Sequence, residues 1–141
     1  MSEIIMARWL CKIEPGCYSI DDLIRDGTTL WDGVNNALAR KHLRQMRPGE
    51  RVLFYHTGKE KAVVGEMVVA REPETDPKAD DEAAVAVRMK SAEKWTRPVT
   101  LAEIKADKML ANWDLVRLSR LSVVPVSDEQ WKRVEAIARR K

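Results

Sequence analysis

No apolar run in this sequence approaches the roughly 20 residues that a bilayer crossing needs, so a membrane-spanning helix is not expected. The segment Met1 to Met6 has no basic region leading into a long apolar core, and no secretory signal is expected either. Cysteine is scarce. Cys11 and Cys17 stand alone with no histidine at metal-ligand spacing beside them, which favours a reduced, soluble, intracellular protein without a metal centre. Histidine is equally rare: His42 lies within a basic helix face, where a solvated role is expected, and His56 ends a strand beside a glycine-bearing loop, where site residues often sit. There is no glycine-rich phosphate loop, no zinc pattern and no nucleophile elbow. Neither a cofactor nor catalysis is demanded by any of these residues. Excess charge is also missing, because 25 Lys and Arg nearly cancel 22 Asp and Glu to leave +3. Such a chain lacks the field to clamp a long duplex, yet it can hold a few phosphates locally.

What remains is an ordinary globular balance of 45% hydrophobic and 33% charged residues over 141 positions, read as one domain spanning 1–141 with a real core. Five tryptophans against one phenylalanine and two tyrosines is an unusual skew. It fits a site that stacks a flat ligand, and it fits equally a core that uses Trp.

Strand formers run from Ala7 to Ile13 and stop at Glu14-Pro15-Gly16. Ser19 then caps a short helix over Ile20 to Asp26, with Gly27 at its C-terminal boundary. Val34, Leu38, Leu43 and Met46 mark the apolar face of a second helix over Val34 to Met46, whose Arg40, Lys41 and Arg44 face water. Arg51 to His56 and the apolar run Ala62 to Ala70 form a β-hairpin, with Gly65 as a bulge or a point of close approach. Glu72 to Glu82 is acidic and proline-bearing, so a solvated excursion is expected. Ala83 to Met89 alternates as a third sheet strand. Thr100-x-x-Glu103 and Ser127-x-x-Gln130 are capping boxes that open two further helices, the last lined by Trp131, Val134 and Ile137, and Leu118 to Val126 lies between them as a strand. The order β-α-α-β-β-β-α-β-α gives an α+β class.

Between the first two helices, Thr28-Thr29-Leu30-Trp31-Asp32-Gly33-Val34-Asn35-Asn36 reads as a turn feeding a helix start, since Gly33 can adopt left-handed backbone and Asp32, Asn35 and Asn36 are good caps. Trp31 has two possible fates there. It is a core anchor, or it is a flat platform beside convergent polar groups, suited to a planar heterocycle.

Trp9-Leu10-x-Lys12-x-Glu14-Pro15, then Tyr18-Ser19-Ile20-Asp21-Asp22-Leu23, Trp31-Asp32-Gly33-Val34-x-Asn36, Phe54-Tyr55-His56, Val64-Gly65-Glu66, Arg97-Pro98-Val99-x-Leu101 and Arg120-Leu121-Ser122-Val123-x-Pro125-Val126 together resemble the EVE domain. These motifs span Trp9 to Trp131 in the family's order. The resemblance implies a PUA-like mixed β-barrel of about five to six strands with short helices at its edges, related to YTH and ASCH domains. It implies a non-catalytic module that recognises a modified base, modified cytosine or similar, flipped from DNA or RNA.

By the same resemblance, Trp31 matches the pocket tryptophan, Lys12 and Ile13 the first-strand wall, Asp32 and Asn36 the polar rim, His56 a second wall, and Arg120 and Ser122 the last-strand side. It favours the platform reading of Trp31. Departures lie close to this set: the family commonly has Ser at 13, Arg at 35, an aromatic at 37 and Gln at 124, where this chain has Ile13, Asn35, Ala37 and Val124. Those changes make the pocket more apolar. A monomer is expected, cytoplasmic or nuclear in a eukaryote, and a separate nuclease or modification enzyme is a candidate partner. Two other functions compete: an enzyme on a nucleotide or small heterocycle with His56 or Asp32 as acid–base group and Lys12 as electrostatic partner, and an interaction scaffold with an empty pocket.

Overall fold

The structure is a computed structural model that describes residues 6–140; residues 1–5, in which no secretory signal is expected, lie outside that range. The order of elements is β1 (Arg8–Ile13), α1 (Ile20–Asp26), β2 (Thr28–Trp31), α2 (Ala37–Gln45), β3 (Arg51–His56), β4 (Ala62–Val69), β5 (Glu74–Thr75), β6 (Val85–Thr100), α3 (Leu101–Ala106), α4 (Asp114–Arg117), β7 (Val123–Val126) and α5 (Asp128–Ala138). The strands form a mixed sheet in the order β2-β6-β4-β3-β1-β7, with β5 paired to β6 off this path. Within it β1 and β3 run parallel, and the other pairs run antiparallel. The class is α+β as expected, but the sheet has seven strands and is not closed, since β2 and β7 do not pair. No described helix is long and apolar enough to cross a membrane.

Helix starts follow the local chemistry closely. Ser19, Thr100 and Ser127 each accept from the backbone N–H three residues on, and Asp22, Glu103 and Gln130 return the bond to complete capping boxes. Helix α2 begins later than expected, at Ala37, because Asn36 is its N-cap and accepts from Ala39 N at 2.9 Å. Three strand readings also change. Thr28 to Trp31 is strand β2 rather than turn, its β-branched and aromatic side chains pairing antiparallel with Val87 to Lys90 of β6. The strand expected from Ala83 to Met89 continues to Thr100, although Lys90, Glu93, Lys94 and Arg97 break the apolar alternation, because only Trp95 and Val99 of its second half are buried. The strand expected over Leu118 to Val126 shrinks to Val123–Val126, and α4 was not foreseen.

All five tryptophans are core residues, between 1% and 8% exposed. The Trp skew therefore reflects packing. Buried carboxylates anchor two of the indoles, Glu50 through Trp9 Nε1 at 2.9 Å and Glu66 through Trp95 Nε1 at 3.0 Å. Glu50 also accepts from Ala7 N and Arg47 N, tying the start of β1 to the turn before β3. Trp131 of α5 lies under the guanidinium groups of Arg8 and Arg51, 5.1 and 5.9 Å from its ring centre. His42 is half-buried and packs against Trp9, with ring centres 5.8 Å apart.

Gly65 sits at a register shift between β4 and β6, and a Cβ built there would meet Glu93 O at 2.3 Å. Both expectations for it, bulge and close approach, hold. The constraint is steric, not conformational, because the opposing atom is backbone and has nowhere to go. Gly65→Ala is expected to cost about 1–3 kcal/mol as an overpacked site, read as a lowered denaturation midpoint. Gly16→Ala, whose new Cβ would meet its nearest neighbour at 3.6 Å, serves as the tolerated control; equal effects of the two would remove the steric explanation.

Candidate nucleic-acid interface

Strand β2 ends at Trp31, and the chain then leaves the sheet through Asp32 to Asn36 before α2 begins. Gly33 makes that exit possible with a φ of 73°, in the left-handed region. Between this segment and the β1 and β7 side opens a cleft of about 780 Å³. Lys12 and Ile13 of β1 form one wall with Ser122, while Tyr18, Thr29 and Arg88 of β6 form another. Trp31, Asp32, Gly33, Val34 and Asn35 contribute the connecting segment, and Lys78 reaches in from the acidic excursion.

That excursion is largely exposed, as expected, but it is tied down at one buried residue. Asp76, 4% exposed, accepts from Gly33 N at 3.0 Å and from Lys78 N at 2.9 Å, which fastens residues 76–78 to the cleft's own backbone. Arg40 of α2 pairs with Asp81 at 2.7 Å and also donates to Val34 O, and Arg44 donates to Ala83 O. The helix face read as solvated is therefore partly spent in holding the excursion down. Lys78 Nζ is left 3.8 Å from Asp32 at the cleft mouth.

Of the residues singled out by resemblance, the cleft brings together Lys12, Ile13, Trp31, Asp32 and Ser122. Lys12 is half-buried, its Nζ donates to Ser119 O at 3.0 Å, and burial lowers its pKa. Trp31 is only 5% exposed and stands edge-on to Phe54 with ring centres 5.6 Å apart, so it is a core anchor that offers the cleft a small part of its surface. Asn36 and Arg120 lie outside the cleft, on a neighbouring depression. His56 is elsewhere. It is buried at the end of β3, its Nε2 accepts from Ile20 N at 3.1 Å, and Nδ1 meets Glu60 at 2.6 Å. Accepting at Nε2 puts the ring proton on Nδ1, so one nitrogen serves the start of α1 and the other Glu60. Val124 is fully buried opposite Leu10 and makes no wall of the cleft, so its apolar character acts on the core.

Sequence reasoning missed Tyr18, Lys78 and Arg88. Arg88 had a signal, since it is the charged residue that breaks an otherwise apolar strand between Val87 and Met89. Tyr18 donates to Asp26 at 2.9 Å, and burial followed by that neighbouring carboxylate raises its pKa. Lys78 had no local signal, because only the long-range bond of Asp76 brings it here.

The model of the EVE domain matches residues 7–137. The chain belongs to the EVE domain family. Human thymocyte nuclear protein 1 is 31% identical, over 90% of this chain and 72% of that protein. The structure of Rpa0253 from Rhodopseudomonas palustris superposes with a TM-score of 0.89 at 38% identity, covering 94% of this chain and 93% of that one. The human THYN1 protein in complex with 5-methylcytosine-containing DNA gives a TM-score of 0.88 at 30% identity, covering 96% and 99%. An ASCH protein from Zymomonas mobilis, 12% identical with a TM-score of 0.56 over 92% and 94% of the two chains, shares the fold. This EVE domain thus has the α+β architecture that its motifs imply.

The fastening of the cleft segment carries its own pH signature. Two backbone amides donate to Asp76 and hold its pKa below the ordinary 3.8. The bond's contribution is fully present above that ordinary value and is lost as pH falls through the lower folded value. An NMR titration of the Gly33 amide proton should therefore show a midpoint below 3.8, absent in Asp76→Asn. A midpoint at or above the ordinary value would mean that the latch is not made in solution.

Proposed function

We propose that this protein binds nucleic acid by admitting a single modified base, a modified cytosine in DNA, into the cleft beside Trp31, without converting it. The observation that carries this reading is the cleft's make-up. Its volume of about 780 Å³ lies inside the roughly 300–1,000 Å³ typical of small-molecule sites, and it is lined by Trp31, by the apolar side chains of Ile13 and Val34, and by the cations Lys12, Lys78 and Arg88. A base placed there meets apolar surface on its faces and hydrogen-bonding groups of Asp32 and Ser122 at its edge, while the cations lie toward a phosphate backbone outside. The human relative's complex with 5-methylcytosine-containing DNA supports modified cytosine as the base.

Trp31 acts in this reading as an apolar floor and not as a free stacking platform, because most of its surface already packs in the core. Asn36 is not assigned to the base edge, since its side-chain oxygen is used by Ala39 N. The enzyme reading finds less support: His56 is committed to α1 and Glu60, which leaves Asp32 without a histidine partner.

An added methyl group meeting Ile13 and Val34 is worth about 1–3 kcal/mol by burial, or roughly 10–200-fold. Competition between single-stranded oligonucleotides that differ in one 5-methyl group should fall in that window. Ile13→Ser, a half-buried position that should keep the fold, is expected to bring the ratio toward unity. Trp31→Ala is expected to lose about 3–5 kcal/mol of stability as a core truncation, so its binding has to be read on the folded fraction. Equal affinity of the wild-type protein for both oligonucleotides would sink the proposal, and a changed base mass after incubation would favour an enzyme.

A further inference from the structure

Strand register brings an acid and a base of the cleft close together. Leu30 of β2 is paired with Arg88 of β6, and Trp31 with Val87. Asp32, one residue past the end of β2, therefore continues as the diagonal neighbour of Arg88, and such neighbours lie about 7–8 Å apart, within reach of a long side chain. Both residues line the cleft, and both are half-buried. Yet they do not pair with each other. Among the described residues Arg88 makes no ion pair, and Asp32 is met only by Lys78 Nζ at 3.8 Å, too long for a hydrogen bond. A guanidinium taken partly out of water without a partner is costly unless a ligand supplies one. Lys12 differs, since its Nζ is already taken by Ser119 O.

We propose that Arg88 and Asp32 together select cytosine over thymine, Arg88 donating to N3 and O2 of the base and Asp32 accepting from its N4 amino group. The inference rests on the cleft being a base site and adds which of its groups tell one pyrimidine from another. A guanidinium presents parallel N–H donors in a fixed fork, whereas a carboxylate only accepts. The pairing edge of cytosine carries two acceptors, N3 and O2, beside the donating amino group at N4, so the fork fits the first two and the carboxylate fits the third. Thymine carries the same 5-methyl group as 5-methylcytosine, but its edge presents acceptors at O4 and O2 around an N3–H donor. Against thymine the fork meets a donor and the carboxylate meets an acceptor, and both mismatched groups are left unpaired. Ser122 fits either base, because its hydroxyl can turn to give or to take a bond. Lys12 and Lys78 remain for the phosphate backbone.

The test uses the whole protein and three single strands that are identical except at one base, which is 5-methylcytosine, cytosine or thymine. Comparing 5-methylcytosine with cytosine isolates the methyl group, and comparing it with thymine isolates the edge. The wild-type protein should prefer 5-methylcytosine over thymine roughly 5–150-fold, the size of one bidentate base contact. Arg88→Lys keeps the charge and loses the fork. It should bring that ratio close to unity, while the ratio of 5-methylcytosine to cytosine and the thermal midpoint stay as in wild type. Asp32→Asn, whose amide can turn to suit either base, should also shrink the discrimination against thymine, which keeps the test valid if Arg88→Lys lowers stability. Equal wild-type affinity for 5-methylcytosine and thymine, or a uniform loss on all three strands in Arg88→Lys, would overturn the edge reading and leave the base site standing. Discrimination against thymine without preference for the methyl group would sustain the edge reading and sink the choice of a modified base. Failure of the wild-type protein to bind any of the strands would overturn the base site and the edge reading with it.

Discussion

A carboxylate nearly shut off from water has to find donors, and the way Asp76 finds them shapes this molecule's functional face. Its partners are backbone amides, one its own neighbour at Lys78 and one across the cleft at Gly33. The bond to Gly33 is long in sequence, so it closes a large loop, and that closure is tolerable because loop entropy grows only slowly with length. Once made, it fixes the left-handed exit after Trp31, brings Lys78 to the cleft mouth, and gives Arg40 and Asp81 a place to pair. Ionisation of Asp76 is thus coupled to the shape of a wall that none of its atoms lines.

Trp31 illustrates how one residue serves packing and a site together. Strand β2 holds it against β6, and its edge-on contact with Phe54 places the ring inside the sheet's main core. A large aromatic so placed is rigid, which suits the floor of a pocket: the little surface it leaves uncovered cannot rotate away. In the proposed function, stability and recognition are then inseparable at this position. Ile13 and Val34, less buried and on the walls, carry whatever selectivity can be varied without cost to the fold.

Much of the architecture was legible because its signals are local. Ser19, Thr100 and Ser127 mark helix starts through side chains that act three residues away, and Gly65 marks a close approach through the bare fact of lacking a Cβ. The anchoring of the acidic excursion was hidden for the opposite reason. Asp76 and Asp81 look like solvated charge until Gly33 and Arg40, some forty residues distant, arrive as partners. The second half of β6 was hidden by charged residues that a strand with one wet face tolerates. At the site, Lys12, Ile13, Asp32 and Ser122 converge because they sit at strand ends fixed by sheet register. His56 does not, because a residue at the end of β3 can face α1 as well as a cleft, and the unsatisfied N–H of Ile20 decides between them.

Net charge is a poor guide to where this protein could meet a polyanion, because the sum of +3 hides which cations are already spent. Arg40 is only 14% exposed on its ion pair with Asp81, Arg44 serves the backbone of Ala83, Arg25 is bound by Asp22 and Asp26, and Arg133 is held by Asp107. Fields from such pairs largely cancel within a Debye length, about 8 Å at physiological ionic strength. On the cleft side Lys12 serves the backbone of Ser119 and Lys78 lies 3.8 Å from Asp32, which leaves Arg88 and Arg120 without an ion pair among the described residues, at the cleft and the neighbouring depression rather than on a helix face. Under the proposed function, such a surface would attract a phosphate backbone over a short footprint, and shape inside the cleft, more than charge outside it, would decide which nucleotide stays.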